Sequence, residues 1–172
     1  MNLTQRCSKI RLLLCDVDGV LTDGGIMIDN DGVESKRFHT RDGMALVLWQ
    51  MAGHELGWIS ARTSKIVAQR AAELKVPWVK QGVGDKREAA RAIMREVSVT
   101  ADQTCYIGDD FPDLGILTDV GLGVAVADAA SELRDAAHHV TVCPGGQGAV
   151  RETIEMILQT QQRWNELVSR FR

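Results

Sequence analysis

Residues 10–23 read Ile-Arg-Leu-Leu-Leu-Cys-Asp-Val-Asp-Gly-Val-Leu-Thr-Asp, and this stretch decides the fold. Its first half, residues 11–15, is mostly large and apolar, the pattern of a strand buried on both faces of a parallel sheet. Asp16 and Asp18 stand at the end of that strand, and Gly19 lets the backbone turn away at once. Side chains two apart on an extended chain point the same way, so the two carboxylates are expected to face one point. Carboxylates held together repel unless one keeps a proton or a cation lies between them. A hard cation such as Mg²⁺ is the natural partner for these oxygens.

Outward from this strand, apolar runs alternate with helical periodicity. Residues 26–29 and 33–38 are expected to be short strands around the turn Asn30-Asp31-Gly32, a hairpin over about 25–38. Strands are expected at 56–59, 78–79, 104–107, 122–126 and 139–142. The helices between them are marked by Met44, Leu48 and Met51, by Val67 and Ala71, and by Ala90, Ile93 and Val97. One long helix over about 148–171 is expected to close the chain, with Val150, Ile154, Leu158 and Phe171 on its stripe, whereas residues 1–9 read as a polar leader outside the packing. The alternation predicts a doubly wound, Rossmann-like parallel α/β sheet with helices on both faces, in one domain over residues 1–172.

The bulk properties narrow the function class. A net charge of −3 offers no broad basic surface for nucleic acid or an anionic membrane. No apolar run is long and charge-free enough for a signal peptide or a membrane span. Cys7, Cys15, Cys105 and Cys143 are scattered without metal or redox spacing, as expected of core thiols in a reducing cytoplasm.

In a doubly wound sheet, ligands bind beyond the carboxyl ends of the strands. Asp16 and Asp18 end the first strand and Ser60 the second. Lys86 opens the helix after the third, and Asp109, Asp110 and Asp113 end and follow the fourth. Each alone reads as a helix cap or a solvated residue; their joint placement on one rim points to a site.

These residues, with Asp16-Val17-Asp18-Gly19-Val20-Leu21-Thr22 and Gly108-Asp109-Asp110-Phe111-Pro112-Asp113 quoted whole, resemble the four motifs of the haloacid dehalogenase-like phosphohydrolases. Further stretches, among them Arg41-Asp42-Gly43 and Gly148-Ala149-Val150-Arg151-Glu152, are similar to the branch that acts on octulosonate 8-phosphate in lipopolysaccharide precursor synthesis. The resemblance implies a Mg²⁺-dependent phosphomonoesterase in which Asp16 attacks phosphorus, Asp18 is general acid and base, Ser60 binds a phosphoryl oxygen and Lys86 neutralises charge. It implies metal ligation by Asp16, Asp109 and the Asp18 carbonyl, with Asp110 and Asp113 behind them orienting water or holding Lys86. Arg62 and Arg70 are the candidate readers of the sugar carboxylate.

The spacing between motifs leaves room for the hairpin and one helix before Ser60, and for a helix and a strand after it, so no cap domain is expected. The resemblance answers that open site with a homotetramer packed about the hairpin. Two rivals stand beside this reading: a phosphatase of nonulosonate 9-phosphate, against which Arg62 speaks, and a non-catalytic oligomerisation module, against which the intact motifs speak. Two departures from the family pattern are Ala61 in the second motif and Gln147, where an arginine is usual.

Overall fold

Leu12–Cys15 forms strand β1, and none of its four side chains is exposed. Such a strand needs neighbours on both edges and helices on both faces, and it has them. The computed structural model describes residues 1–171. In chain order, α1 (Leu3–Cys7) precedes β1, and a hairpin of β2 (Met27–Ile28) and β3 (Glu34–Ser35) follows it. Next come α2 (Thr40–Met51), β4 (Glu55–Ile59), α3 (Lys65–Glu73), β5 (Trp78–Lys80) and α4 (Lys86–Glu96). The second half holds β6 (Thr104–Gly108), α5 (Phe111–Asp119), β7 (Leu122–Ala125), α6 (Ser131–Ala136), β8 (His139–Val140), α7 (Ala149–Thr160) and α8 (Trp164–Ser169).

Six strands make one parallel sheet in the order β5-β4-β1-β6-β7-β8. From β1 the chain first winds outward through β4 to β5, then crosses to β6 and winds the other way. The direction therefore reverses between β1 and β6, and at such a switch point a crevice opens beyond the strand ends. Leu12 pairs with Glu55 on one side and Thr104 on the other, so the carboxyl ends of β4, β1 and β6 lie level. Helix α2 packs on α7, and α5 lies between α4 and α6. The expected doubly wound α/β sheet is what the chain forms.

Three local expectations are corrected. Residues 1–9 are not an unpacked leader: Asn2 caps α1 by accepting from the Gln5 N–H (2.9 Å), and Cys7 is fully buried. The closing helix is two helices, because Gln162 adopts a left-handed φ of 59° and breaks the run between α7 and α8. Trp164 then lies beneath the Arg151 guanidinium, 4.6 Å from ring centre to Cζ. The last strand is shorter than its apolar run, ending at Val140.

The hairpin leaves the sheet. An isolated bridge between Thr22 and Phe38 ties its base, and Arg37 pairs with Asp23 there. Ile26, Met27, Ile28 and Val33 are all exposed. No helix among the described residues is long and apolar enough to cross a membrane.

Candidate active site

The Asp16 N–H still donates to the Ile107 carbonyl (3.0 Å), so Asp16 sits at the last paired position of β1 and its side chain is buried. The chain then tightens. The N–H groups of Leu21 and Thr22 both donate to the Val17 carbonyl, which turns Asp18 and Gly19 over the sheet edge. Gly19 has φ +97°, and a Cβ there would run into the Asp109 carboxylate. That glycine is required twice, by the turn and by the close approach of β6.

Lys86 is the first residue of α4, whose start is capped by Asp85 accepting from Arg87 and Glu88. Its ammonium is buried and donates to Asp16 Oδ1 (2.6 Å) and Asp113 Oδ1 (2.7 Å). The Tyr106 hydroxyl also donates to Asp113 Oδ1 (2.5 Å), and the N–H groups of Asp109 and Asp110 donate to Asp113 Oδ2 (3.0 and 3.4 Å). Asp113 is thereby saturated and fixes Lys86, while Asp110, exposed at the start of α5, gives it a backbone N–H. Burial alone lowers a lysine pKa, but the Asp16 and Asp113 charges outweigh it and hold Lys86 above its ordinary value.

Asp109, at the end of β6, faces Asp16. One carboxylate oxygen each from Asp16, Asp109 and Asp113 lies within 4.8 Å of the others. Burial, followed by the neighbouring Asp113 charge, pushes Asp16 up to about 6 despite Lys86. Burial and then the Asp16 and Asp113 charges push Asp109 up to about 8. One ammonium is too little charge for three carboxylates, and the excess is what a hard divalent cation relieves. Because Asp113 is spent on its donors, Asp16 and Asp109 are the oxygens free to hold it. The Asp18 carboxylate is not in this group of three.

Asp18 instead turns to the hairpin. Its Oδ1 accepts from Lys36, and Oδ2 accepts from the Ser60 hydroxyl (3.4 Å). Ser60 ends β4, is buried, and takes the Arg62 N–H on its oxygen (3.1 Å). Glu34 bridges the two sides: Oε1 accepts from Arg62 Nη2 (3.1 Å) and Oε2 from Ser64 Oγ (2.7 Å). These donors hold Glu34 below the usual glutamate range, Ser64 foremost. Arg62 is thus at the rim. Arg70 is not: it pairs with Glu73 (2.7 Å) and lies over the Phe38 ring, 5.9 Å from its centre, and does not line the cavity. Arg70 is the sixth residue of α3, which carries it about 7.5 Å along the axis from the helix start, away from the rim.

Asp16, Asp18, Ser60, Arg62, Lys86 and Asp109 line a hollow of 230 Å³. A wider one of 620 Å³ lies among Lys9, Arg11, His54 and Arg163 at the opposite ends of the strands; it has no converging carboxylates, so size does not pick the site here. Sequence reasoning missed Tyr106, Lys36 and Glu34. The last two are one period-two step apart beside β3, which puts them on one face. That was a usable signal. A tyrosine in an aliphatic strand was not.

With this geometry in hand, the comparisons with known proteins are specific. Residues 64–152 match the model of the haloacid dehalogenase-like hydrolases. The chain belongs to the haloacid dehalogenase-like hydrolase family. It is 40% identical to the 3-deoxy-D-manno-octulosonate 8-phosphate phosphatase of Yersinia pestis over 94% of this chain and 87% of that one. It is likewise 40% identical to the same phosphatase of Haemophilus influenzae, over 92% and 88%. The crystal structure of the Moraxella catarrhalis phosphatase of that name, in complex with magnesium, phosphate and the sugar acid, superposes with a TM-score of 0.96. It shares 34% identity and covers 98% of this chain and 97% of that one.

Proposed function

We propose that this chain hydrolyses 3-deoxy-D-manno-octulosonate 8-phosphate to the free sugar acid and phosphate, with Mg²⁺ as cofactor. The observation that carries this is the Lys86-locked Asp16 beside Asp109 at the switch point of the sheet. The substrate rests on the relatives of that activity, which match nearly the whole chain. Asp16 and Asp109, with the Asp18 carbonyl, would hold Mg²⁺, which when bound screens the carboxylate and phosphate charges from each other.

An Asp16 oxygen attacks phosphorus in line; the phosphorus bond to the sugar oxygen breaks, and that oxygen takes a proton from Asp18. Asp18, now a carboxylate, removes a proton from water. That oxygen attacks phosphorus, the bond to Asp16 breaks, and phosphate leaves. The Ser60 hydroxyl, which donates to Asp18 Oδ2 in the free chain, turns its one hydrogen to a phosphoryl oxygen when the substrate is bound and leaves Oδ2 to carry the acid's proton. Lys86 has three N–H groups and spends two on Asp16 and Asp113, leaving the third for the phosphoryl group. Arg62, half-exposed and, among the described residues, paired with Glu34 alone, is placed to read the sugar carboxylate through its planar fork. Arg70 has no part in this reading.

We infer further that residues 1–172 act as one capless domain in the cytoplasm, in lipopolysaccharide precursor synthesis, as a homotetramer. What supports the assembly is the apolar strip Ile26, Met27, Ile28 and Val33 on an element outside the core, which water alone covers in the single chain. The test of activity is phosphate release across a panel of sugar phosphates with and without Mg²⁺. We expect the octulosonate 8-phosphate to lead the nonulosonate 9-phosphate and neutral hexose phosphates by at least about tenfold in kcat/KM, the worth of one charged hydrogen bond. Equal rates across the panel would leave a phosphatase without this substrate, and none anywhere would leave a non-catalytic module.

A further inference from the structure

The two oxygens of Asp18 are held by different parts of the molecule. Oδ2 takes the Ser60 hydroxyl, which belongs to the sheet, and Oδ1 takes the Lys36 ammonium, which belongs to the hairpin. Lys36 is not a surface lysine that happens to reach over: 1% of its side chain is exposed, although the strand beside it stands in solvent. It also lies 3.3 Å from Glu34 Oε1, and Glu34 is itself fixed by Arg62 and Ser64. Arg62 closes the ring through its N–H to Ser60. Asp18, Lys36, Glu34, Arg62 and Ser60 therefore form one circuit. The bridge from Thr22 to Phe38 anchors the hairpin two residues from Lys36.

A carboxyl that must meet one particular oxygen of a substrate cannot be free to rotate, because misplacement costs rate steeply. Ser60 alone leaves Asp18 one long contact and a free oxygen. We propose that Lys36 is a positioning residue of the hydrolysis: it holds the Asp18 carboxyl in the one orientation from which it meets the leaving oxygen. This rests on the reading of Asp18 as the general acid. The hairpin then contributes to the chemistry of its own chain, besides offering an apolar strip to a partner.

The test separates help to the leaving group from general damage, using substrates without any sugar. Phenolate leaves poorly without a proton, whereas p-nitrophenolate leaves well without one. The ratio of kcat/KM for phenyl phosphate to that for p-nitrophenyl phosphate therefore reports on acid assistance. Lys36→Met is expected to lower this ratio by about tenfold, and Lys36→Arg to restore most of it. Lys36→Ala, which also removes the donor, serves should the methionine variant fail to fold, with the same fall in the ratio expected. Asp18→Asn is the reference and must lower the ratio at least as far. A ratio unchanged in Lys36→Met, with the two substrates falling together or not at all, overturns the inference while Asp18→Asn still lowers it. A ratio unchanged in Asp18→Asn removes the acid role and this inference with it.

Discussion

Two lysines neutralise aspartates of this site, and they are built differently. Lys86 grows from a capped helix of the core, is buried, and is gripped by Asp16 and by an Asp113 whose oxygens are saturated. Lys36 comes from a hairpin with two residues in each strand, of which Met27, Ile28 and Ser35 lie open to water. The nucleophile end of the site is thus part of the fold and fails only when packing fails. The acid–base end hangs on an element that has little hydrophobic support of its own, since a two-stranded ribbon is marginal by itself. The division suits the chemistry. The attacking carboxylate needs a fixed, dry charge environment, and the leaving group needs an opening to pass through.

The largest expected effect lies on the core side. Lys86→Met leaves Asp16 and Asp113 buried without their cation, at a cost of roughly 3–5 kcal/mol in stability. Phosphate release is expected to fall by about 10³-fold as the phosphoryl charge loses its partner. Urea unfolding and steady-state assays check the two; a variant as stable as the parent would mean that Lys86 is not the lock described.

A smaller effect separates the metal-free and Mg²⁺-bound forms by pH. Asp16 and Asp109 are raised from the ordinary aspartate value near 4 to about 6 and about 8, so between these limits the native state holds protons that the unfolded chain has released. In EDTA, stability is therefore expected to fall as pH rises from about 4 through 8 on account of these two groups. Mg²⁺ replaces those protons, so its stabilisation grows over the same range. Thermal melts at pH 6 and pH 8 give the comparison, with the larger Mg²⁺ shift at pH 8. A larger shift at pH 6 would place the cation elsewhere.

The smallest effect on the isolated chain is on the hairpin. Ile28 is 61% exposed, so Ile28→Asp is expected to change the stability of one chain by no more than about 0.5 kcal/mol. The same charge in a dry interface costs several times that, so light scattering is expected to show smaller species than the parent gives. A parent that is monomeric at micromolar concentration would remove the tetramer and sharpen the contrast between the two ends of the site.

The same contrast decides what could be read from the sequence. Where residues are fixed by the sheet, alternation and rim position were enough: Asp16, Ser60, Lys86 and Asp109 come together as the strand ends require. Asp113 was expected behind them, and its grip on Lys86 follows from its place one turn into α5. Asp18 was expected to share a focus with Asp16, but the strand stops at Cys15 and the turn sends it to Lys36. Lys36 and Glu34 share a face by their spacing, but what they reach for does not show locally: Glu34 and Arg62 are 28 residues apart, and no period joins that pair. Arg70 was misplaced by counting turns without counting rise. The break before α8 carries neither glycine nor proline, so an apolar stripe ran straight through it.

The central claim is that Asp16 attacks phosphorus, and trapping its product tests it most directly. Acid-quenching the enzyme during turnover of octulosonate 8-phosphate with Mg²⁺, then reducing with borohydride, converts an aspartyl-phosphate to homoserine while leaving free carboxylates untouched. Peptide mass spectrometry is expected to find homoserine at position 16 alone, only when substrate and Mg²⁺ are both present. Homoserine at position 18 or 109, or unmodified Asp16 in an enzyme that is turning over, would contradict the account.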